Sequence, residues 1–193
     1  MASEQADPDH SAGPRVRRLT SDALTVDEIA EIRALMTAAF GDDEEERFGD
    51  SDWEHALGGS HVVVDVEGRI VAHAAVVERD LHVAGRPIRT GYVEAVATSP
   101  DRQGSGFGTL AMVEIGSIIA AEFELGALGT GGHHFYERLG WRTWRGPSFV
   151  RTATGDEETP DDDGYIMVLV TPTTGPLDPT TTISCDWRAG DVW

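Results

Sequence analysis

The sequence predicts an α+β (mixed α/β) fold in which one mostly antiparallel sheet is flanked by helices. This prediction depends on an early helical pattern, a series of short strands joined by turns, and a later alternation of helices and strands. A length of 193 residues, of which 40% are hydrophobic, is typical of one domain with a sizeable core. We expect that domain to span residues 15–193, after a disordered tail over residues 1–14.

The first helix is predicted over residues 26–40, because Thr25 and Glu28 form a capping box ahead of apolar residues at helical spacing. Runs of Val, Ile and Ala then predict two hairpins, and a glycine-rich segment leads into a long helix. Gly140 is a typical helix cap. The later elements are predicted as strands over 61–66, 69–77, 81–83 and 88–98, a helix over 106–123, a strand over 125–128, a helix over 133–139, strands over 141–150, 165–170 and 181–186, and surface loops over 152–164 and 172–179.

The charge balance excludes several classes of protein. There are 34 acidic against 15 basic residues, a formal net charge of −19, so nucleic acid is not an expected partner. Every basic residue is arginine, and the absence of lysine excludes Schiff-base enzymes, P-loops and protein kinases. A single cysteine, Cys185, excludes an internal disulfide and a Cys-rich zinc cluster, and we expect no metal. No signal peptide or membrane span is predicted, so we expect a cytoplasmic protein without a membrane partner.

A glycine-rich segment stands where a strand ends and a helix begins: Gln103-Gly104-Ser105-Gly106-Phe107-Gly108. Glycines let several backbone N–H groups converge on one anion at the positive end of the helix, so the segment is a candidate pyrophosphate cradle. Its spacing differs from that of a Rossmann loop, and a P-loop would need a lysine. Taken alone, the segment could also be an ordinary glycine-rich turn.

The pattern Gln-x-x-Gly-x-Gly, after the strand Gly91-Tyr92-Val93-Glu94-Ala95-Val96-Ala97, resembles the coenzyme-binding signature of the GCN5-related N-acetyltransferases (GNAT). Other segments are similar to the aminoglycoside 2′-N-acetyltransferases of that superfamily, and the similarity covers residues 15–193. These segments are Asp52-Trp53-Glu54-His55 with Leu57-Gly58-Gly59, Ala72-His73-Ala74-Ala75, Leu125-Gly126-Ala127-Leu128, and Cys185-Asp186-Trp187-Arg188-Ala189-Gly190-Asp191-Val192-Trp193.

The resemblance implies a GNAT fold whose splayed strands form an acetyl-CoA groove, in a homodimer that confers aminoglycoside resistance. The expected reaction is direct attack of the 2′-amine of the drug on acetyl-CoA in a ternary complex. Acetyl-CoA is the only cofactor implied, as a co-substrate. The residues that match the coenzyme contacts of the family are Val96, Ala97, Thr98, Gln103, Gly104, Ser105, Gly106, Phe107 and Gly108.

Glu94 is the leading catalytic candidate. It interrupts an otherwise apolar strand, where a carboxylate is costly unless it is paired. A cationic amine arriving as substrate would pair it and would then need to lose a proton before attack. In the resembling family the matching Glu acts through water. The alternation of the strand also allows a simpler interpretation, in which Glu94 faces solvent.

Tyr136 occupies the helix position where the resembling enzymes place a tyrosine that protonates the departing thiolate. By spacing alone, Phe135 and Tyr136 could equally be core aromatics. The neighbouring pair His133 and His134 is more typical of a helix surface than of a metal site.

Two acidic runs hold 14 of the 34 acids, with 8 over residues 42–54 and 6 over residues 156–163. Such runs are commonly solvated loops, but converging carboxylates would also attract a polycationic substrate. Asp42 could exchange roles with Asp43, and the short segment 129–132 offers no serine to contact the drug. The resemblance assigns the acceptor site to Asp43, Asp52, Glu94, Ala95, Asp161, Asp162, Asp191 and Trp193, whose terminal carboxylate is also a catalytic candidate.

Two alternatives stay open. The same coenzyme loop could serve an acetyltransferase for polyamines or for amino sugars of the cell envelope, which are also cations. The chain could instead be a non-catalytic aminoglycoside-binding module. No positive cluster or His-Asp arrangement lies near Cys185 in sequence to activate its thiolate, so we expect no covalent enzyme intermediate.

Overall fold

The computed structural model describes residues 13–41 and 47–193. All but the last two residues of the predicted N-terminal tail, residues 1–14, lie outside the described part, and so do Asp42 and Asp43. The strands are β1 (Arg15–Thr20), β2 (Ser60–Val66), β3 (Arg69–Val83), β4 (Arg86–Thr98), β5 (Leu125–Gly129), β6 (Arg142–Thr143), β7 (Ser148–Thr152), β8 (Gly155–Glu158), β9 (Ile166–Val170) and β10 (Ile183–Asp186). The helices are α1 (Val26–Phe40), α2 (Asp50–His55), α3 (Phe107–Glu122) and α4 (His133–Glu137).

The described strands form one sheet. Its main path runs β6, β9, β5, β4, β3, β10, β7, β8, and β2 and then β1 extend from β3 on a side branch. The branch is possible because β3 is long: its first half pairs with β2, while its end at His82 and Val83 pairs with β10. Only the pairs β4–β5 and β7–β10 are parallel. The predicted α+β fold with one mostly antiparallel sheet is therefore confirmed.

Both faces of the sheet are covered. Along β2, Val62 and Val64 pack into the apolar cluster beneath α3, whereas Val63 packs into the cluster beneath α1. This is the alternation that a strand imposes on consecutive side chains. At the start of α1, Thr25 and Glu28 form the predicted capping box. Among the described residues, no helix is long and apolar enough to cross a membrane.

Three element predictions need correction. β3 is one continuous strand. The sequence predicts two separate strands here, over residues 69–77 and 81–83, because Glu78, Arg79 and Asp80 break the apolar pattern. The strand predicted over 141–150 is two strands, β6 and β7, separated at Gly146, where any added Cβ would lie 1.8 Å from the Thr181 carbonyl oxygen. The loop predicted over 152–164 contains β8, which pairs with β7.

Candidate active site

Strands β4 and β5 are side by side only over the beginning of β5 and the middle of β4. Their parallel pairing covers Thr90, Gly91 and Tyr92 of β4, and it ends although β4 continues to Thr98. The two strands therefore part in the middle of the sheet. This is the splayed pair that the sequence resemblance led us to expect.

A β-bulge lies where the strands part. Glu94 and Ala97 are three residues apart on β4, whereas their partners on β3, Ala75 and His73, are only two residues apart. The additional residue makes β4 bend and twist locally. Ala95 within the bulge has a φ of +51°, a left-handed conformation that is uncommon for a residue with a side chain. Strained backbone of this kind is frequent at functional sites.

The glycine-rich segment forms the floor of a cleft of about 440 Å³. Gly104 and Gly106 have φ values of +76° and +87°, which glycine adopts at little cost. Gly106 caps the 16-residue helix α3, and the first three residues of that helix, Phe107, Gly108 and Thr109, line the cleft. The free N–H groups of the first helical turn therefore lie beside it. At Gly108, an added Cβ would lie 2.8 Å from the Thr98 hydroxyl oxygen. A close-fitting cradle at a helix N-terminus is a physically suitable site for a pyrophosphate.

This coenzyme cleft brings together all but one of the residues predicted to hold the coenzyme. Ser105 is the exception, because it is not among the lining residues. Three lining residues, Thr109, Phe135 and Arg138, were not predicted. The Arg138 guanidinium lies 6.0 Å from the centre of the Phe135 ring. Arg138 follows α4 in sequence, and only the tertiary fold places it in the same cleft as the glycine-rich segment.

Tyr136, the residue predicted to act as the acid, also lines this cleft. Its ring packs edge-on against Phe135 and Trp141, at centroid distances of 4.9 and 6.2 Å. Burial raises the pKa of the Tyr136 phenol to about 12. The hydroxyl is therefore protonated at neutral pH, the state in which a phenol can donate a proton. The core-packing and acid interpretations are compatible, since the ring packs and the residue also borders the cleft.

A second, polar cleft of about 220 Å³ adjoins the first along β4. Glu94 and Ala95 line the polar cleft, whereas Val96, Ala97 and Thr98 line the coenzyme cleft. The bulge thus forms a wall that the two clefts share. The remaining lining residues of the polar cleft are Phe40, Arg47, Phe48, Asp52, His55, Gly129, Arg188, Asp191 and Trp193.

Glu94 does not face open solvent. Its Oε1 accepts a hydrogen bond of 2.6 Å from Nη1 of Arg188, and the two side chains are only 15% and 17% exposed. Arg188 also donates from Nε to the Asp191 carbonyl oxygen at 2.6 Å and lies 5.6 Å from the centre of the Tyr92 ring. The sequence predicted that this carboxylate needs a cationic partner. It did not indicate that the chain supplies one itself.

The C-terminal segment, residues 187–193, is held against the polar cleft by contacts from several elements. Arg79 donates to the Val192 carbonyl oxygen at 2.9 Å, and His55 Nε2 lies 2.8 Å from the Ala189 carbonyl oxygen. Trp193 is 8% exposed and donates from its indole nitrogen to the Thr159 hydroxyl at 3.0 Å. Two polar atoms beside this segment, the Tyr92 hydroxyl and Nη1 of Arg79, are buried without a partner among the described residues.

The acidic residues converge only in part. Asp52, Asp191 and Trp193 line the polar cleft together with Glu94 and Ala95. Asp52 also has a structural role, because its Oδ2 accepts from the Gly49 N–H at 2.6 Å and caps α2.

Asp161 and Asp162 lie on a 3₁₀ turn outside the lining of the polar cleft. The pKa of Asp162 is raised, chiefly by burial. A hydrogen bond from Thr159 acts in the opposite direction, and nearby carboxylates that include Asp191 raise it further. Asp162 is therefore within electrostatic reach of the C-terminal segment.

The structure also adds residues to the acceptor side. Phe40, Arg47, Phe48, His55 and Arg188 line the polar cleft and were not predicted as site residues. Phe40 has the spacing of a core position at the end of α1, and nothing in its pattern indicates a second role. Among the described residues, no group of three or more His, Cys, Asp or Glu side chains is arranged to hold a metal ion.

The parted strands, the bulge and the glycine cradle define an acyltransferase of the GNAT class. A family model described as "Acetyltransferase (GNAT) domain" matches residues 20–144. An aminoglycoside 2′-N-acetyltransferase of Mycolicibacterium fortuitum is 41% identical to this chain over 165 residues, which cover 83% of each sequence. The chain therefore belongs, within the GNAT acetyltransferases, to the family of the aminoglycoside 2′-N-acetyltransferases.

Solved structures agree on the fold. A GNAT family acetyltransferase from Brucella melitensis, solved in complex with acetyl-CoA, has a TM-score of 0.57 at 19% identity and covers 91% of this chain and 96% of its own. A GCN5-related N-acetyltransferase from Kribbella flavida has a TM-score of 0.55 at 18% identity over 72% of this chain. This chain spans about a third (36%) of the Kribbella chain.

Proposed function

We propose that the protein transfers an acetyl group from acetyl-CoA to the 2′-amine of aminoglycoside antibiotics. The observation that carries the proposal is the pair of clefts that share the β4 bulge. One has a glycine-rich loop at a helix N-terminus, and the other is lined by three carboxylates beside Arg47 and Arg188. A thioester lying in the first cleft would present its reactive carbon to an amine lying in the second. The name of the Mycolicibacterium relative supports the same substrate class.

The coenzyme side would use backbone more than side chains. Free N–H groups at the start of α3 and along the segment 103–108 would bind the pyrophosphate, and β4 residues 96–98 would bind the rest of the coenzyme arm. Acetyl-CoA supplies the activated acetyl group. Arg138 lines the same cleft and is the one cationic side chain among its lining residues, so we assign it a phosphate contact. Ser105 keeps only a backbone role in this proposal.

The acceptor side would bind a polycation through the carboxylates of Asp52, Glu94 and Asp191. Asp161 and Asp162 on the adjacent turn would extend this negative surface outward and raise the local concentration of the drug. Asp43 is included in the proposal through the family resemblance alone, since it lies outside the described residues. Trp193 and the backbone of Ala95, which line the same cleft, complete the proposed set.

Glu94 would accept the proton of the attacking amine through a water molecule. For this to occur, an ammonium group of the drug must share or replace the contact with Arg188, which lies 2.6 Å from Glu94. The Tyr136 hydroxyl, protonated at neutral pH, would donate a proton to the departing thiolate. The amine would therefore attack directly in a ternary complex.

A covalent enzyme intermediate is not part of the proposal. The one cysteine, Cys185, is 0% exposed, and burial raises the pKa of its thiol. Its Sγ donates to the Val192 carbonyl oxygen at 3.2 Å. A thiol that is buried, protonated and engaged in this way is a poor nucleophile.

We further propose that residues 15–193 act as one domain in a cytoplasmic homodimer, and that acetylation confers aminoglycoside resistance. The continuous sheet supports the single domain. The family of the Mycolicibacterium relative supports the resistance role.

The test compares kanamycin B, which carries an amine at position 2′, with kanamycin A, which carries a hydroxyl there. We expect rapid release of free thiol from acetyl-CoA with kanamycin B and little with kanamycin A. Equal release would mean that another amine is acetylated. No release with either drug, together with release with spermidine or an amino sugar, would favour a different amine as the acceptor.

A further inference from the structure

Two fully buried histidines form a hydrogen-bonded chain that ends at the bulge. The Ser21 hydroxyl lies 2.9 Å from Nε2 of His61, Nδ1 of His61 lies 3.0 Å from Nε2 of His73, and Nδ1 of His73 lies 2.7 Å from the Ala95 carbonyl oxygen. Both rings are 0% exposed. None of the catalytic steps proposed above uses this chain, although its last acceptor is in the wall between the two clefts.

The direction of each hydrogen bond follows from counting donors. A carbonyl oxygen only accepts, so Nδ1 of His73 must carry the hydrogen that points at Ala95. Burial lowers the pKa of His61 to about 4 and that of His73 to about 3, so both rings are neutral at pH 7 and carry one hydrogen each. Nε2 of His73 is then an acceptor, and Nδ1 of His61 must be its donor.

The hydrogen bonds at the Ser21 end run in the same direction. Nε2 of His61 accepts, so the Ser21 hydroxyl donates to it, and Ser21 in turn accepts from the Gly58 N–H at 2.9 Å. Every hydrogen in the chain thus points toward Ala95. Bonds aligned in this way polarise one another, so the last one is strengthened.

The peptide between Ala95 and Val96 is trans, since none of the described peptide bonds is cis. In a planar trans peptide the C=O and the following N–H point in opposite directions. A carbonyl of Ala95 that is held by the His73 ring therefore holds the N–H of Val96 on the side away from that ring. Val96 lines the coenzyme cleft.

We propose that His73, supported by His61 and Ser21, is a positioning residue that aims the N–H of Val96 at the thioester carbonyl oxygen of bound acetyl-CoA. The proposal rests on the acetyl-transfer function proposed above. A bond to the Ala95 carbonyl also stabilises the left-handed conformation of that residue, which an isolated alanine disfavours. Two buried imidazoles cost desolvation that apolar side chains would avoid, and this role accounts for their presence.

The first test needs no substrate. Nitrogen NMR of the imidazole rings in the wild-type protein at pH 7 should show His61 and His73 neutral, with the hydrogen on Nδ1 in both rings. Variants His61→Gln and His73→Asn assign the two signals. A hydrogen on Nε2 of either ring, or a charged ring, would overturn the proposal because the chain would then not point at Ala95.

The second test separates positioning from packing with three variants. His73→Leu removes the donor, and His73→Asn keeps an amide donor at the Nδ1 position. Ile32→Ala removes no member of the hydrogen-bonded set but weakens the apolar cluster that includes Trp53, whose ring lies 6.5 Å from that of His73. We expect His73→Leu to lower kcat at least about 10-fold and to weaken acetyl-CoA binding in calorimetry. His73→Asn should recover most of both, and Ile32→Ala should lower the Tm while keeping kcat.

The proposal would be wrong if His73→Leu kept wild-type kcat and acetyl-CoA affinity, or if Ile32→Ala lost as much activity as His73→Leu. It would also be wrong if His73→Asn were no better than His73→Leu. If His73→Leu does not fold, the NMR result decides. Absence of turnover in the wild-type protein with kanamycin B would count against the proposed function alone, since the tautomers are read without substrate.

Discussion

Acid destabilisation between pH 6.5 and pH 4.5 is the sharpest physical prediction that the histidine chain makes. The folded pKa values of His61 and His73 are about 4 and about 3, below the ordinary value of 6.5. In this interval the unfolded chain binds protons on both residues while the folded protein does not. The free energy of unfolding therefore falls as the pH falls, and the stabilising contribution is fully present only above pH 6.5.

The size of the effect follows from the proton count. Each proton bound only by the unfolded state changes the free energy of unfolding by about 1.4 kcal/mol per pH unit, so two give about 2.7 kcal/mol per unit. Because the unfolded residues are only half protonated at pH 6.5, the loss by pH 4.5 is somewhat less than two full units of this slope, which is several kcal/mol. That is a large part of the 5 to 15 kcal/mol that is roughly typical of a domain.

Carboxylates act in a lower interval, so the two contributions can be distinguished. Glu28, hydrogen-bonded by Thr25 and paired with Arg17, has a pKa of about 2 against an ordinary value of 4.5. Its stabilising contribution is lost only as the pH falls below about 4.5. The assay is urea unfolding followed by tryptophan fluorescence at pH 7, 6 and 5.

A double variant, His61→Gln with His73→Gln, should abolish the slope above pH 5. His134→Gln, at an exposed position, is the matched control and should keep it. A wild-type stability that stays constant from pH 7 to pH 5 would refute the reasoning, as would a double variant that retains the full slope.

Three substitutions test the catalytic assignments. Glu94→Gln keeps the shape of the side chain but removes its charge, and it should lower kcat/KM for the drug about 100-fold. The exposed control Glu78→Gln should leave kcat/KM unchanged. If the two variants had the same kcat/KM, Glu94 would be excluded as the base. Tyr136→Phe should lower kcat about 10-fold or more with little change in the KM for acetyl-CoA, and an unchanged kcat would remove Tyr136 as the acid. Cys185→Ala should keep kcat in a thiol-release assay despite a loss of about 1 kcal/mol of stability, because its thiol only packs and donates to the Val192 carbonyl; a collapse of kcat would contradict direct transfer.

Ionic strength provides a further test of the acceptor side. If carboxylates attract the drug through long-range fields, raising salt should increase the KM for the aminoglycoside while kcat stays nearly constant. A KM that does not respond to salt would mean that the acidic residues outside the polar cleft, such as Asp161 and Asp162, contribute little to binding.

The sequence predicts the features that arise from local pattern. The capping box at Thr25 and the spacing after it define α1, and both bounds agree with the structure. The glycines after β4 predict the coenzyme cradle because a strand, a tight turn and a helix N-terminus are all local features. Eight of the nine predicted coenzyme residues line the cleft for the same reason.

Contacts between distant segments could not be predicted. Arg188 reaches Glu94 across 94 positions, and no periodicity connects the two. The break predicted within β3 failed because Glu78 and Arg79 find partners: Glu78 accepts from Arg89, and Arg79 reaches the Val192 carbonyl. Charges that lower strand propensity in the sequence are thus accommodated by tertiary contacts.

The hydrogen-bonded series through His61 and His73 could not be predicted from the sequence either. His61 and His73 read as ordinary interruptions of apolar runs, and only the register of β2 against β3, with the bulge in β4, aligns their rings with Ala95.

The nitrogen of the drug that receives the acetyl group is the most direct test of the proposed function. Purified product from kanamycin B and acetyl-CoA should show one added acetyl group by mass spectrometry, and NMR should place it on the nitrogen at position 2′. An acetyl group on any other amine of the drug, or unmodified kanamycin B after prolonged incubation, would contradict the account.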